Sequence, residues 1–258
     1  MSLFSCPAIE AQTNRITLTD PCFISDLHLS AESARQADFF VRFLKEVAER
    51  HKELVILGDF FDYWVGDDAW ETAAGILNPL RDWAQKHSLY LMHGNRDFMI
   101  GKTLADRLGA TLLRDPTVAV FSGEQLLLSH GDIWCVNDLD YQKVRRKVRS
   151  FWWQWMVLRL SLKKRLSIAQ NARSRSKESK VKKDVTLMDI DADTVKREAQ
   201  QFKCSVIIHG HTHRPGLYSD VTNTPRYVLP DWKLHDDEAY RGGYLIKTTS
   251  GWEICSFR

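Results

Sequence analysis

Five short segments of this 258-residue chain end in side chains that bind cations: Asp26-Leu27-His28, Gly58-Asp59, His93-Gly94-Asn95-Arg96-Asp97, His130-Gly131-Asp132 and His209-Gly210-His211-Thr212-His213. The D-x-H and H-x-H spacings put two side chains on one side of an extended backbone, where both can reach one ion. Glycine beside the ligands allows tight turns and close backbone approach. The donors are carboxylate, imidazole and one amide with no thiolate, a set that suits manganese, iron or zinc better than calcium or copper(I). Seven candidates, namely Asp26, His28, Asp59, Asn95, His130, His211 and His213, are too many for one ion that keeps an open position. Two ions need a bridge, and the two oxygens of Asp59 could span ions about 3.5–4 Å apart. Such a pair directs water at phosphorus, so the expected chemistry is phosphoryl transfer to water.

The elements that must carry these residues follow from hydrophobic periodicity. Short apolar runs at 22–25, 54–57, 89–92, 125–129 and 204–208 read as strands, and amphipathic stretches near 33–50, 69–87 and 191–202 read as helices between them. That alternation predicts an α/β fold, in which ligands gather at the carboxyl ends of the strands. Late runs near 226–229, 243–247 and 252–256 predict antiparallel pairing at the end of a mixed sheet. Residues 1–19 read as a loosely held extension to a domain spanning 20–258. The stretch 138–190 reads as helical throughout, an insertion or cap between two sheet-forming halves.

Charge marks that insertion. The chain holds 36 Lys and Arg against 33 Asp and Glu, a formal +3. Gln142 to Lys183 alone carries 15 basic residues and one acid, which is +14, and leaves the remainder at −11. An apolar fraction of 44% with 27% charged residues excludes a disordered or collagenous chain. Five cysteines without a C-x-x-C pair suggest neither a disulfide framework nor a thiolate zinc site, and fit a reducing cytosol. The N-terminus lacks the basic and apolar regions of a signal peptide, and no apolar run reaches spanning length. Peripheral contact with a membrane stays open. From Tyr141 to Ser161, five cations in nine residues precede Phe151, Trp152, Trp153, Trp155, Met156, Leu158 and Leu160. This pattern fits an interfacial helix on anionic lipid, a lid with an apolar inner wall, or plain packing of a cap helix. Nucleic acid is not expected, because the aromatics are bunched on one helix instead of interleaved with the charges.

The series DLH, GDFFD, GNRD, HGD and GHTH, in that order, resembles the calcineurin-like metallophosphoesterase superfamily. The resemblance implies a four-layer α/β/β/α sandwich with a dinuclear site on the sheet edge and a helical insertion acting as a cap. It also implies that Asp26, His28, Asp59 and His213 hold one ion and Asp59, Asn95, His130 and His211 the other. FISDLHLS, ILGDFFDYWVGDD, HGNRDFMIGK, SHGD, the SRSKE stretch, MDID and IIHGHTHRP together are similar to the UDP-2,3-diacylglucosamine pyrophosphatase family over roughly residues 20–235. That closer likeness implies two manganese ions and a UDP-2,3-diacylglucosamine substrate split to UMP and 2,3-diacylglucosamine 1-phosphate in lipid A biosynthesis. It also implies work at the cytoplasmic face of the inner membrane. Asn95, Arg96 and His130 are expected at the catalytic step, with Asn95, Arg96, Asp138, Ser176, Lys180, Lys183 and His211 on the substrate. Pro230, in Leu229-Pro230-Asp231-Trp232, stands where that likeness leads one to expect glycine.

Arg96 is informative by itself. It cannot release a proton at working pH, but its fork can hold a phosphate oxygen. That suits a leaving group that is itself a phosphate monoester, with a second pKa of about 6, which departs without being protonated. An ion pair with Asp97 is the structural alternative. His93 and His209 read as neighbours of ligands, Asp97 and Asp132 as acceptors that orient ligating histidines, and Asp62, Asp67 and Asp68 as a loop cap for the next helix. The rival functions are a same-fold phosphodiesterase or nucleotide pyrophosphatase with a soluble substrate, and a lipid- or nucleic-acid-binding module with a vestigial metal site.

Overall fold

The computed structural model describes residues 13–182, 189–219, 224–234 and 240–258. Its strands are β1 Thr13–Leu18, β2 Pro21–Ile24, β3 Glu53–Leu57, β4 Ser88–Met92, β5 Ala110–Phe121, β6 Glu124–Ser129, β7 Val206–His209, β8 Gly216–Tyr218, β9 Arg226–Val228, β10 Lys233–Leu234, β11 Tyr240–Thr248 and β12 Gly251–Phe257. The α-helices are α1 Ala34–Glu46, α2 Ala74–Ala84, α3 Lys102–Leu108, α4 Leu139–Val148, α5 Phe151–Leu158, α6 Leu162–Lys182 and α7 Ala192–Gln201.

The central strands are apolar on both faces because both faces are covered. In β3 every residue of ELVIL is buried, as expected of a parallel strand enclosed on two sides. Alternate side chains enter different cores. Cys22, Ile24, Leu54, Ile56, Leu89 and Leu91 pack with the helices through Phe40, Phe43, Leu77 and Leu104. Phe23, Val55, Leu57 and Met92 face Leu126, Leu128, Val206 and Ile208 across the gap between two sheets. Leu127 and Ile207 turn the other way, onto Val195 and Ala199 of α7. The result is four layers: α1 to α3, then β2 to β4 with β11, then β6, β7 and β9, then α7.

The long strand β5 joins the two sheets. Its first residues pair parallel with β4 and its last antiparallel with β6. Local capping agrees with the layout. Ser33 caps α1 by accepting from Gln36 N at 3.3 Å, and Asp191 caps α7 by accepting from Thr194 N at 2.8 Å.

Two expectations need correction. Residues 13–18, read as part of a loose extension, form β1, which pairs parallel with β5 from Arg15↔Val118 to Leu18↔Phe121 and buries Ile16 and Leu18. The polar residues Thr13, Asn14, Arg15 and Thr17 disguise it, since only one of its faces is covered. The late strands do not all pair together. β11 and β12 form the expected hairpin, but β9 lies parallel to β7 in the second sheet. Of the stretch 138–190 read as helical, residues 139–182 are helical except for short breaks and follow β6 in the chain, 183–188 lie outside the described residues, and 189–191 are not helical.

Candidate metal centre at the strand ends

The loops after β2, β3, β4, β6 and β7 carry the seven candidate ligands, and the four layers bring them to one rim. Their backbones are held in an unusual state. Asp26, His28, Asp59, His211 and His213 all have φ between 49° and 68°. Non-glycine residues avoid this left-handed region, at a cost of order 1–3 kcal/mol each, unless the surroundings enforce it. Here the surroundings are backbone hydrogen bonds between adjacent loops: Asp26 N to Gly58 O at 3.1 Å and His28 N to Asp59 O at 2.9 Å. The flanking glycines are required by space. A Cβ on Gly94 would collide with the backbone nitrogen and carboxylate of Asp59, and one on Gly210 with Asp26 and Ser25.

Two groups of side chains converge closely enough to share a cation: Asp26, His28 and His213, and Asp26, Asp59 and His130. His28 Nε2 and His213 Nε2 lie 3.3 Å apart, and His213 Nε2 is 3.4 Å from Asp26 Oδ1. Asp59 faces both halves. Its Oδ1 is 3.7 Å from His130 Nε2 and its Oδ2 is 3.7 Å from His28 Nδ1. Asn95 Oδ1 sits between His130 Nε2 at 3.2 Å and His211 Nδ1 at 3.0 Å. All seven candidates are therefore at one place. Asp26, which belongs to both groups, is as central as Asp59, the residue singled out as the bridge.

Electrostatics test whether a metal fits. Burial works against the Asp26 carboxylate, yet the His213 hydrogen bond and the nearby His130, His213 and His28 charges hold it far below the usual carboxylate range. Burial raises Asp59. It would depress His130 too, but Asp59, Asp26 and Asp132 carry that imidazole up to about 9. His213 rises to about 9 against burial through its bonds to Asp231 and Asp26, whereas burial takes His28 down to about 3. Protonated histidines thus supply the positive charge that two buried carboxylates demand. Apart from the 3.4 Å approach of His213 to Asp26 Oδ1, that oxygen and His28 Nδ1 are buried with no well-formed hydrogen bond. A site with excess ligand atoms, unpaired buried donors and protons standing in for cations fits divalent metal.

The supporting residues differ in part from the sequence reading. His130 Nδ1 donates to Leu57 O at 2.9 Å, which aims its Nε2 at the site. Asp231 Oδ2 accepts from His213 Nδ1 at 3.3 Å and does the same for that ring. This role was missed, although the flanking Trp232 is anchored in the core and its backbone N–H donates to Asp26 O at 3.0 Å. The close partners of Asp97 and Asp132 are loop N–H groups and side chains of α4. Asp97 accepts from the N–H groups of Phe60 and Gly94 at 2.7 and 2.8 Å and so fixes two ligand loops together; burial and Asp59 push it up to about 7. Asp132 receives Tyr141 and Arg145 from α4. His93 and His209 are core residues, bonded to Ile100 O and, for His209, to Gly210 O and Arg226.

Arg96 lies at the rim, a quarter exposed, and its partners are Asp62 Oδ1 at 2.8 Å and Asp59 Oδ2 at 3.6 Å, not Asp97. Asp62 is buried and also pairs with Arg173 of α6, so it is no loop cap. Asp67 caps α3 by accepting from Leu104 N at 2.8 Å, and Asp68 holds Arg165. Asp138 caps α4 through Tyr141 N at 3.0 Å. Ser176 and Lys180 lie in α6, and Lys183 lies outside the described residues. Of the tryptophans, Trp153 turns inward onto Phe98, whereas Trp152 is 71% and Met156 58% exposed.

A four-layer sandwich with this set of ligands on its sheet edge is the architecture of a metallophosphoesterase. The calcineurin-like phosphoesterase family profile matches residues 22–215, and the chain belongs to that family. Within it, the chain is 40% identical to the UDP-2,3-diacylglucosamine hydrolase of Histophilus somni (strain 2336), across 81% of this chain and 91% of the relative. It is 37% identical to the enzyme of the same name from Bordetella parapertussis, across 92% and 95%. Among solved structures, an archaeal phosphodiesterase superposes with a TM-score of 0.48 at 11% identity, over 92% of this chain and 99% of that one.

Proposed function

We propose that the protein hydrolyses the diphosphate of UDP-2,3-diacylglucosamine to UMP and 2,3-diacylglucosamine 1-phosphate, a step of lipid A biosynthesis, with two manganese ions held by Asp26, His28, Asp59, Asn95, His130, His211 and His213. The observation that carries the reading is the centre formed by Asp26, His28, Asp59, His130 and His213, with Asn95 and His211 beside them, inside a chain 40% identical to a hydrolase of that substrate. Bound ions supply Lewis-acid polarisation of a phosphoryl group and a lowered pKa for water.

The chain's own residues do the rest. Asn95, its amide oxygen within hydrogen-bond reach of both His130 and His211, stands in the half of the centre expected to hold the second ion. Arg96 stands beside it with its guanidinium exposed in part, and its fork suits a phosphate oxygen of the diphosphate. Since a phosphate monoester leaves as a stable anion, no acid is required at that position, and arginine is the better residue there than histidine. Arg173, on the same Asp62, adds a second cation from α6. Outward Trp152 and Met156, on the helix that follows the cationic turns of α4, suit an acylated substrate lying in an anionic membrane surface. Among the described residues no helix is long and apolar enough to cross a membrane, so the reading is of peripheral contact, at the cytoplasmic face of the inner membrane.

The test offers purified protein with manganese both UDP-2,3-diacylglucosamine and unacylated UDP-glucosamine. Strong preference for the acylated compound is expected; equal turnover would overturn the lipid assignment, and no turnover of either with metal bound would leave a binding protein. Arg96→His is expected to lower kcat for the diphosphate at least tenfold.

A further inference from the structure

The basic insertion touches the metal rim through one side of α4, and the residues that do so converge on a single carboxylate. Asp132, fully buried and two residues after His130, accepts from Tyr141 Oη at 2.5 Å and from Arg145 Nε at 2.7 Å, with Arg149 Nη2 at 3.5 Å. The same Arg149 nitrogen donates to Gly94 O at 2.8 Å, the carbonyl immediately before Asn95. Tyr141 lies nearly parallel to the His211 ring, 29° off and 6.4 Å between centroids. The spacing 141, 145, 149 keeps all three on one helix face.

We infer that Arg149 is a positioning residue for the reaction: it ties the carbonyl before Asn95 to the carboxylate after His130 and so sets the separation of two loops that carry candidate ligands to the metal centre. This inference rests on the metal-dependent reading given above. Two acceptors on different loops are bridged by one planar cation, a task that a guanidinium performs and a point charge on a flexible stem does not. The neighbours make the clamp stiff. Arg145 continues to Asp115 at 3.8 Å, whose other oxygen accepts from Ser129 Oγ at 2.6 Å, and Ser129 Oγ in turn accepts from Gly131 N at 2.9 Å. The loop that carries His130 is thus held on both sides of the histidine. Residues that orient metal ligands in this way typically change metal affinity or activity by roughly 10–100-fold when removed.

The experiment compares the wild-type chain with Arg149→Met and Arg149→Lys, after removal of metal and titration with Mn2+ alone. Calorimetry gives affinity and stoichiometry, and electron paramagnetic resonance reports the spin-coupled signal of two neighbouring Mn2+ ions. The expected result for Arg149→Met is weaker binding of one ion by at least tenfold, a diminished coupled signal and a fall in kcat with KM little changed. Arg149→Lys should fall between. Wild-type metal affinity and kcat in a folded Arg149→Met protein would overturn the inference, as would a change confined to KM. Should Arg149→Met fail to fold, Arg149→Lys decides alone: several-fold weaker Mn2+ binding supports the clamp, and wild-type binding overturns it. Failure of the wild-type chain to turn over UDP-2,3-diacylglucosamine while binding two ions would sink the substrate reading and leave the metal measurement standing.

Discussion

The rim and the insertion solve opposite problems with charge. At the rim, Asp26, Asp59 and His130 are buried, their backbones are forced into strained or tightly bonded loops, and each functional atom has a fixed direction. In the insertion, α4 buries none of its residues, and α5 presents Trp152 and Met156 to the outside. The two meet through arginine. Arg145, Arg149 and Arg165 are turned inward onto Asp132 and Asp68, at 14%, 20% and 3% exposure, while the block's Lys143, Lys147, Lys163 and Lys164 all point to solvent. A guanidinium is weakly hydrated and forks onto carboxylates, so it can be buried where an ammonium cannot. The +14 of this stretch is therefore not all available to a ligand: part of it is neutralised by the acidic body and serves to attach the helices.

The largest expected effect comes from breaking the rim. Asp59→Asn removes one buried charge between His28 and His130, and should reduce kcat/KM by roughly 10³-fold, the consequence of losing several kcal/mol of metal-derived stabilisation. Chelation of the wild-type protein should do the same, with recovery on adding Mn2+; steady-state rates before and after dialysis measure it. Retention of activity by Asp59→Asn would mean that Asp26, present in both ligand groups, suffices as the shared carboxylate.

This contrast also explains which features the sequence alone reveals. The candidate ligands were legible because D-x-H, G-D, G-N, H-G-D and H-x-H are short-range patterns at the ends of apolar runs, and the chain needs only local chemistry to announce them. β1 was not, since its polar alternation looks like an extension until β5 supplies the pairing edge. The partners that Arg96 and Asp132 take in the fold were hidden for the same reason. Asp62 lies 34 positions from Arg96, and Arg145 lies 13 beyond Asp132, with a cap residue and a helix turn between. Which side of the tryptophan cluster faces out was likewise undecidable, because Trp152 and Trp153 differ only in helix phase.

A middle-sized effect comes from the second attachment of the insertion. Arg165 donates to Val65 O and forks onto Asp68, at a loop whose Gly66 has φ 132° and no room for a Cβ beside that guanidinium. Arg165→Ala leaves Asp68 half exposed and solvated, so the loss is limited to the hydrogen bonds and packing, about 2 kcal/mol. Thermal unfolding should fall by several degrees, while Mn2+ affinity measured by calorimetry stays at the wild-type value. Equal losses in stability and metal affinity would show that the α6 attachment also acts on the rim and would weaken the distinction drawn between it and the Arg149 clamp.

The smallest effect on the fold belongs to the outward face of α5. Trp152 and Met156 lie one helical turn apart, and Arg159 covers Trp155, leaving an apolar surface edged by cations. Trp152→Ser with Met156→Ser removes apolar area that contributes little to packing, so the unfolding temperature should move by no more than a degree or two. If the face meets lipid, cosedimentation with vesicles containing phosphatidylglycerol should drop several-fold, and turnover of the acylated substrate in those vesicles should drop with it, while Mn2+ binding stays unchanged. If vesicle binding persists but KM for the acylated substrate rises in detergent, the same side chains serve as a wall for the acyl chains. Either outcome assigns the exposed face a partner by its chemistry, and both keep the rim's geometry independent of it.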